Sequence, residues 1–126
     1  MATVLTSVGE EYIVDALDGA VTINADHIGW GTGAGTAAKG DTDLFTPATE
    51  ARVSATRTQP TADKIRWVAQ ITANGTKTIT NAGVFDGAGS GSPPSGGTPL
   101  IVKGDFTGVA LVNGDKIEFT IDLEIT

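Results

Sequence analysis

The 126-residue chain has no cysteine. Disulfides, thiolate metal sites and a cysteine nucleophile are therefore excluded, and durability has to come from packing or assembly. It has one histidine, so any triad or multi-histidine metal centre must use His27 or fail. Aromatics make up 6% of the residues, with two tryptophans and one tyrosine, which leaves few stacking platforms for sugars or bases. Basic side chains number eight against fifteen acidic ones, and the net charge of -7 repels a phosphate backbone or an anionic membrane. No run approaches the roughly 18 apolar residues of a membrane span, and the start lacks a basic, then apolar, leader pattern. The expectation is a soluble, unprocessed protein that binds neither nucleic acid nor membrane.

Glycine is abundant, at 17 residues, and clusters in turn-like stretches rather than in a collagen period. The length fits one domain over residues 1–126 with a modest core. One segment has a helical period: Thr6 or Ser7 as cap, Glu10 and Glu11 in the first turn, Ile13, Val14 and Leu17 on one face, and Gly19 as a stop. This predicts a short helix over 7–18.

Beyond it the period becomes two-fold. Val21, Ile23, Ile28 and Trp30 predict a strand that enters a loop with glycines at 29, 31, 33 and 35. Residues 50–58 read as a strand near an edge or interface, with Val53 and Ala55 on one side and Arg52, Ser54 and Thr56 on the other. Ile65, Trp67, Ala69 and Ile71 alternate with polar residues, as in a half-buried antiparallel strand. Asn74-Gly75 is then a hairpin turn to a return strand over 76–80 that continues to Phe85, with Gly83 marking a bulge or close approach. Residues 86–98, rich in Gly, Ser and Pro, are expected to form a long, exposed, flexible loop. Leu100 to Val102 resumes the sheet, Asn113-Gly114-Asp115 turns, and the last strand sets Ile117, Phe119, Ile121, Leu123 and Ile125 inward against an acidic outward face. If fully buried, each of those five contributes roughly 1.5–3 kcal/mol, which makes this strand central to stability. The fold class is all-β: an antiparallel β-sandwich or jelly roll with one short N-terminal helix.

The chemistry-bearing motifs read weakly. Ser90, Ser92 and Ser95 lack the frame that holds a nucleophile in a strained turn, and His27 reads as a turn residue bonded to neighbours. Gly31 to Thr36 has the wrong glycine spacing for a phosphate loop, with no helix start or lysine following. Asp41, Asp43 and Glu50, or Glu118, Asp122 and Glu124, follow no calcium-loop spacing and read as solvated faces. Asn74-Gly75-Thr76 is formally a glycosylation sequon but is explained by the turn. No catalytic residue, cofactor or metal is expected. Arg52, Arg57 and Arg66, in an otherwise acidic chain, are candidates for a polar subunit interface.

Three stretches, Ile28-Gly-Trp30-Gly-Thr-Gly33, Ala38-Lys39-Gly-Asp41-Thr-Asp43-Leu44 and Glu50-Ala-Arg52-Val53, carry a resemblance to small virion proteins of tailed bacteriophages. Ile79-Thr-Asn-Ala-Gly83-Val-Phe85-Asp86 and Asn113-Gly-Asp115-Lys-Ile117-Glu-Phe119-Thr extend it over roughly residues 21–126. The resemblance implies a capsid decoration (cement) subunit on the capsid exterior of the virion, made in the host bacterial cytoplasm. Its partner would be the major capsid protein, with homo-dimers or trimers, and it would have no enzymatic activity. The alternatives are a tail-fibre or collar adaptor and, from another class, a carbohydrate-binding module using Trp30 or Trp67. Candidate contacts are Trp30, Arg52, Arg57, Arg66 and the loop residues Gly87, Ser90, Ser92, Pro93 and Pro94.

Overall fold

In a computed structural model that describes residues 2–126, the chain runs β1 (Thr3–Leu5), α1 (Ser7–Leu17), β2 (His27–Gly31), β3 (Val53–Ser54), β4 (Thr56–Thr61), β5 (Lys64–Thr72), β6 (Lys77–Phe85), β7 (Leu100–Leu111) and β8 (Lys116–Glu124). Two antiparallel sheets pack together: one of five strands in the order β1-β7-β6-β2-β3, the other of three in the order β4-β5-β8. The expected sandwich is therefore present. Ile28, Trp30, Ala82, Val84 and Val102 from one sheet meet Trp67, Ala69 and Ile71 from the other in one buried cluster.

The helix forms where expected. Thr6 caps it, accepting the Gly9 N–H at 3.0 Å while its own hydroxyl donates to the Leu100 carbonyl at 2.6 Å. Gly19, at φ +84, follows the C-cap in the left-handed conformation that glycine takes without a Cβ clash. The expected apolar face is wrong: Val14 is 62% and Leu17 84% exposed. Close approach decides the rotation, because a Cβ on Gly9 would lie 2.7 Å from the Ile101 carbonyl oxygen. The side that carries Gly9 and Tyr12 therefore lies inward.

No strand forms at Val21 and Ile23. The backbone there is satisfied otherwise: Asn24 N–H donates to Asp86, the Ala25 carbonyl accepts the Trp67 indole, and the Asp26 carbonyl accepts the Ala55 N–H. The segment over 50–58 splits into β3 and β4, one in each sheet, so the chain passes between the sheets at Ala55.

The Asn74-Gly75 hairpin is a second correction. β5 pairs with β4 and β8, whereas β6 pairs with β2 and β7, so the connection is an arch between sheets. Neither Asn74 nor Gly75 takes the left-handed conformation that a two-residue hairpin needs. The turn at Asn113-Gly114 is a matching arch from β7 to β8, and the two are stitched by Ala73 N–H to the Asp115 carbonyl (2.7 Å) and Gly114 N–H to the Ala73 carbonyl (2.8 Å).

β8 alternates as expected but lies at an edge. Its inward residues Ile117, Phe119, Ile121 and Leu123 are half-buried and Ile125 is 64% exposed, so its contribution falls short of full burial.

Candidate interaction surface

The nine candidate contacts do not form one patch. Trp30 is 2% exposed, its ring edge-on to Phe119 with centroids 6.2 Å apart, so it is a core residue and not a surface anchor. Its alternation partners explain this: in β2, Ile28 and Trp30 point between the sheets while Gly29 and Gly31 point outward.

The outward side of the five-stranded sheet is covered as well. A Cβ on Gly31 would lie 2.4 Å from the Phe45 carbonyl oxygen, and one on Gly83 2.7 Å from the Val102 oxygen, so these glycines allow loop and strand to pack in contact. The glycine run from Gly31 thus packs against Phe45 and Thr46 instead of cradling an anion. Two buried polar residues hold the covering loop. Asn81 accepts the Phe45 N–H (3.0 Å) and donates to the Phe45 carbonyl (3.1 Å). Lys103, 1% exposed, donates to Asp41 (3.0 Å) and to the Asp43 carbonyl (2.8 Å), and its ammonium sits 3.2 Å from the Phe45 ring centroid.

Arg52 belongs to this outer layer, not to an exposed interface. It is 8% exposed, stacks 3.5 Å above the Phe85 ring, and donates to the carbonyls of Gly87 (3.1 Å) and Gly96 (2.7 Å). Burial lowers its pKa, with nearby Asp43 opposing. The loop over 86–98 is consequently an ordered excursion of the β6–β7 hairpin. Gly87 N–H meets the Gly97 carbonyl, Ser90 and Ser95 exchange backbone bonds, the Ser92 hydroxyl donates to Thr49, and Pro94 is buried. Gly87 is half-buried, and Ser90, Ser92 and Pro93 are exposed on this tip.

Arg66 makes a two-pronged pair with Asp122 across the outer face of the three-stranded sheet (2.8 and 2.9 Å), beside Lys64 and Glu124 at 3.8 Å. Hydrogen bonding to Arg66 holds the Asp122 carboxyl below its ordinary value, against the opposing effect of burial. That face is therefore charge-paired and not simply acidic. Arg57, opposite Trp67, is exposed at the rim of a surface cavity of about 450 Å³ that Ile65, Leu123 and Ile125 line.

Glu50, expected among solvated acids, is 8% exposed. It accepts the Trp30 indole N–H (2.9 Å) and the Asn74 N–H (2.9 Å) and pairs with Lys77. Burial raises its pKa, but the bonds from Lys77, Asn74 and Trp30 outweigh it and hold the carboxyl below its ordinary value. Asp41 is also lowered, chiefly by the Ala38 N–H and further by Lys103, against the opposing effect of burial. Lys103, Asn81 and Lys77 escaped the sequence reading, although a lysine directly after Leu100-Ile101-Val102 was a usable signal. His27 Nδ1 lies 2.7 Å from Asp26 Oδ1. Among the described residues no group of three or more His, Asp or Glu is placed to hold a metal ion, and no helix is long and apolar enough to cross a membrane.

Glu50 and Asp41, which hold Lys77 and Lys103, contribute to the acid response alongside the more exposed Asp122. Their folded pKa values are depressed, so the stability they confer is fully present above the ordinary carboxylate range near pH ~4 and is lost as pH falls through the folded values. Thermal melts are expected to be level from neutral pH down to about 4.5 and to fall steeply below about 4, where Lys77 and Lys103 lose their partners. A melting temperature that declines already between pH 7 and 5 would contradict this.

Among the surfaces open to contact are the tip at Ser90 to Pro93, the overhang at Ile65 and Ile125, the outer helix face at Val14 and Leu17, and a second cavity of about 300 Å³ between the sheets, lined by Val102, Phe106, Phe119 and Ile121 beside the free edge of β8. No family model matches the chain, and no curated protein or solved structure is significantly similar to it.

Proposed function

We propose that this chain is a structural virion protein: a capsid decoration subunit that binds the outside of a phage head and stabilises the joints between capsomers. The observation that carries the reading is the use made of the buried charges. Arg52, Lys103 and the Glu50–Lys77 pair all fasten glycine-rich connections onto the five-stranded sheet, leaving a stiff tile with apolar margins. A pre-ordered surface loses little conformational freedom on docking, and repetition over a shell multiplies weak contacts. The phage-like stretches support the same reading, and the role requires neither cofactor nor reaction.

The tail-fibre or collar alternative draws on the segment Ile79 to Asp86. Ala82, Val84 and Phe85 of that segment are buried, so its pattern reflects packing and does not favour the tail over the head. The sugar-binding alternative loses its platforms, since Trp30 and Trp67 are each 2% exposed.

The test is reconstitution. Purified protein mixed with capsids that lack it is expected to bind in fixed stoichiometry and to raise the temperature of particle disruption. Failure to bind heads, with retention on tail or collar fractions, would replace the head role by the adaptor role.

A further inference from the structure

The four sheet edges are unequal. β1 has three residues and β3 two. β4 carries Pro60 and an irregularity between Thr58 and Thr61. β7 is covered by β1 over Val102 to Gly104, and its register with β6 shifts between Asp105 and Val109. Short strands, proline and bulges are the usual devices that prevent strand addition. β8 has none of them: it pairs with β5 without interruption over nine residues, and its other edge has no strand partner among the described residues. Beside that edge opens the 300 Å³ cavity lined by Phe106, Phe119 and Ile121.

We infer that the β8 edge is the interface for a second copy of this chain, joining two three-stranded sheets into one of six strands about a two-fold axis at Phe119. An antiparallel two-fold pair sets outward residues against outward and inward against inward, so the charges choose the register. Centred on Thr120, the pairing places Glu118 against Asp122 of the second copy, twice, so the two attractions of Lys116 to Glu124 are offset by two repulsions. Centred on Ile121, it places Glu118 against Glu124, twice. Centred on Phe119, it places Lys116 against Asp122, Glu118 against the neutral Thr120, and Ile117 against Ile121, with the two Phe119 rings adjacent. Of these three registers only the last opposes unlike charges without also opposing like ones, while covering the half-buried Ile117, Phe119 and Ile121 on both copies. The inference does not depend on the decoration reading: a dimer that ignores capsids would refute that reading alone, and a monomer that binds them would refute this one.

Thr120 supplies the test, because it is exposed and faces neutral Val68 on β5, so its replacement spares the fold. Sedimentation equilibrium of the full chain is expected to show a monomer–dimer equilibrium. In the Phe119-centred register, Thr120→Lys adds two attractions to Glu118 and tightens the dimer roughly 2- to 30-fold, while Thr120→Glu adds two repulsions and weakens it by a similar factor. Circular dichroism melts of both variants check that the fold is retained. A chain that stays monomeric at several hundred micromolar overturns the inference. So does a dimer that both substitutions weaken, which would mark a Thr120-centred register, or that neither affects.

Discussion

Replacing Trp30 by alanine is expected to lower the free energy of unfolding by about 3–5 kcal/mol in urea titrations, the range for removing a large buried aromatic side chain. The ring lies between the sheets, 2% exposed, against Phe119, and the cavity left behind sits in the one cluster that joins them. Trp30→Phe refills much of that volume but leaves Glu50 without its indole donor, so it is expected to cost less than alanine and still be clearly destabilising. Any particle binding should persist in Trp30→Phe under conditions where it stays folded. Selective loss of binding with unchanged stability would restore Trp30 as a contact residue.

Glu50→Ala is expected to cost a similar amount, about 3–5 kcal/mol, because removing one member of a buried pair strands the other. Three donors lose their acceptor together: the Lys77 ammonium, the Trp30 indole and the Asn74 N–H. Glu50→Gln keeps one acceptor and the shape, and should recover part of the loss. Trp30 and Glu50 share a hydrogen bond, so the double variant Trp30→Phe with Glu50→Ala is expected to be less destabilised than the sum of the singles. Strict additivity in a double-mutant cycle would show that the bond contributes nothing.

Most of the strands were legible because their side chains alternate over a two-sided environment. Ile65, Trp67, Ala69 and Ile71 are the clearest case, and the capped helix was equally readable from Thr6 and Gly19. Which strand pairs with which was not legible. Asn-Gly predicts a reversal of direction, and an arch between sheets reverses direction just as a hairpin does. The difference lies in where distant β8 settles, a tertiary fact absent from the local pattern. The candidate site failed for a related reason: arginine type alone cannot distinguish a guanidinium that pins carbonyls, as Arg52 does, from one at a rim, as Arg57 is. The ordering of residues 86–98 was hidden because composition reports the freedom of an isolated segment and not the anchor, here Arg52, that arrives from more than thirty positions away.

The pairing of β5 with β8 also has a temporal side. About forty residues separate Thr72 from Lys116, so during ribosomal synthesis the middle strand of the smaller sheet waits for its neighbour until that whole intervening stretch and β8 have emerged. Until then Trp67 has β4 on one flank only and Ile71, beyond the β4 register that ends at Val68, has no strand of this sheet beside it, so the nascent chain is exposed to premature association.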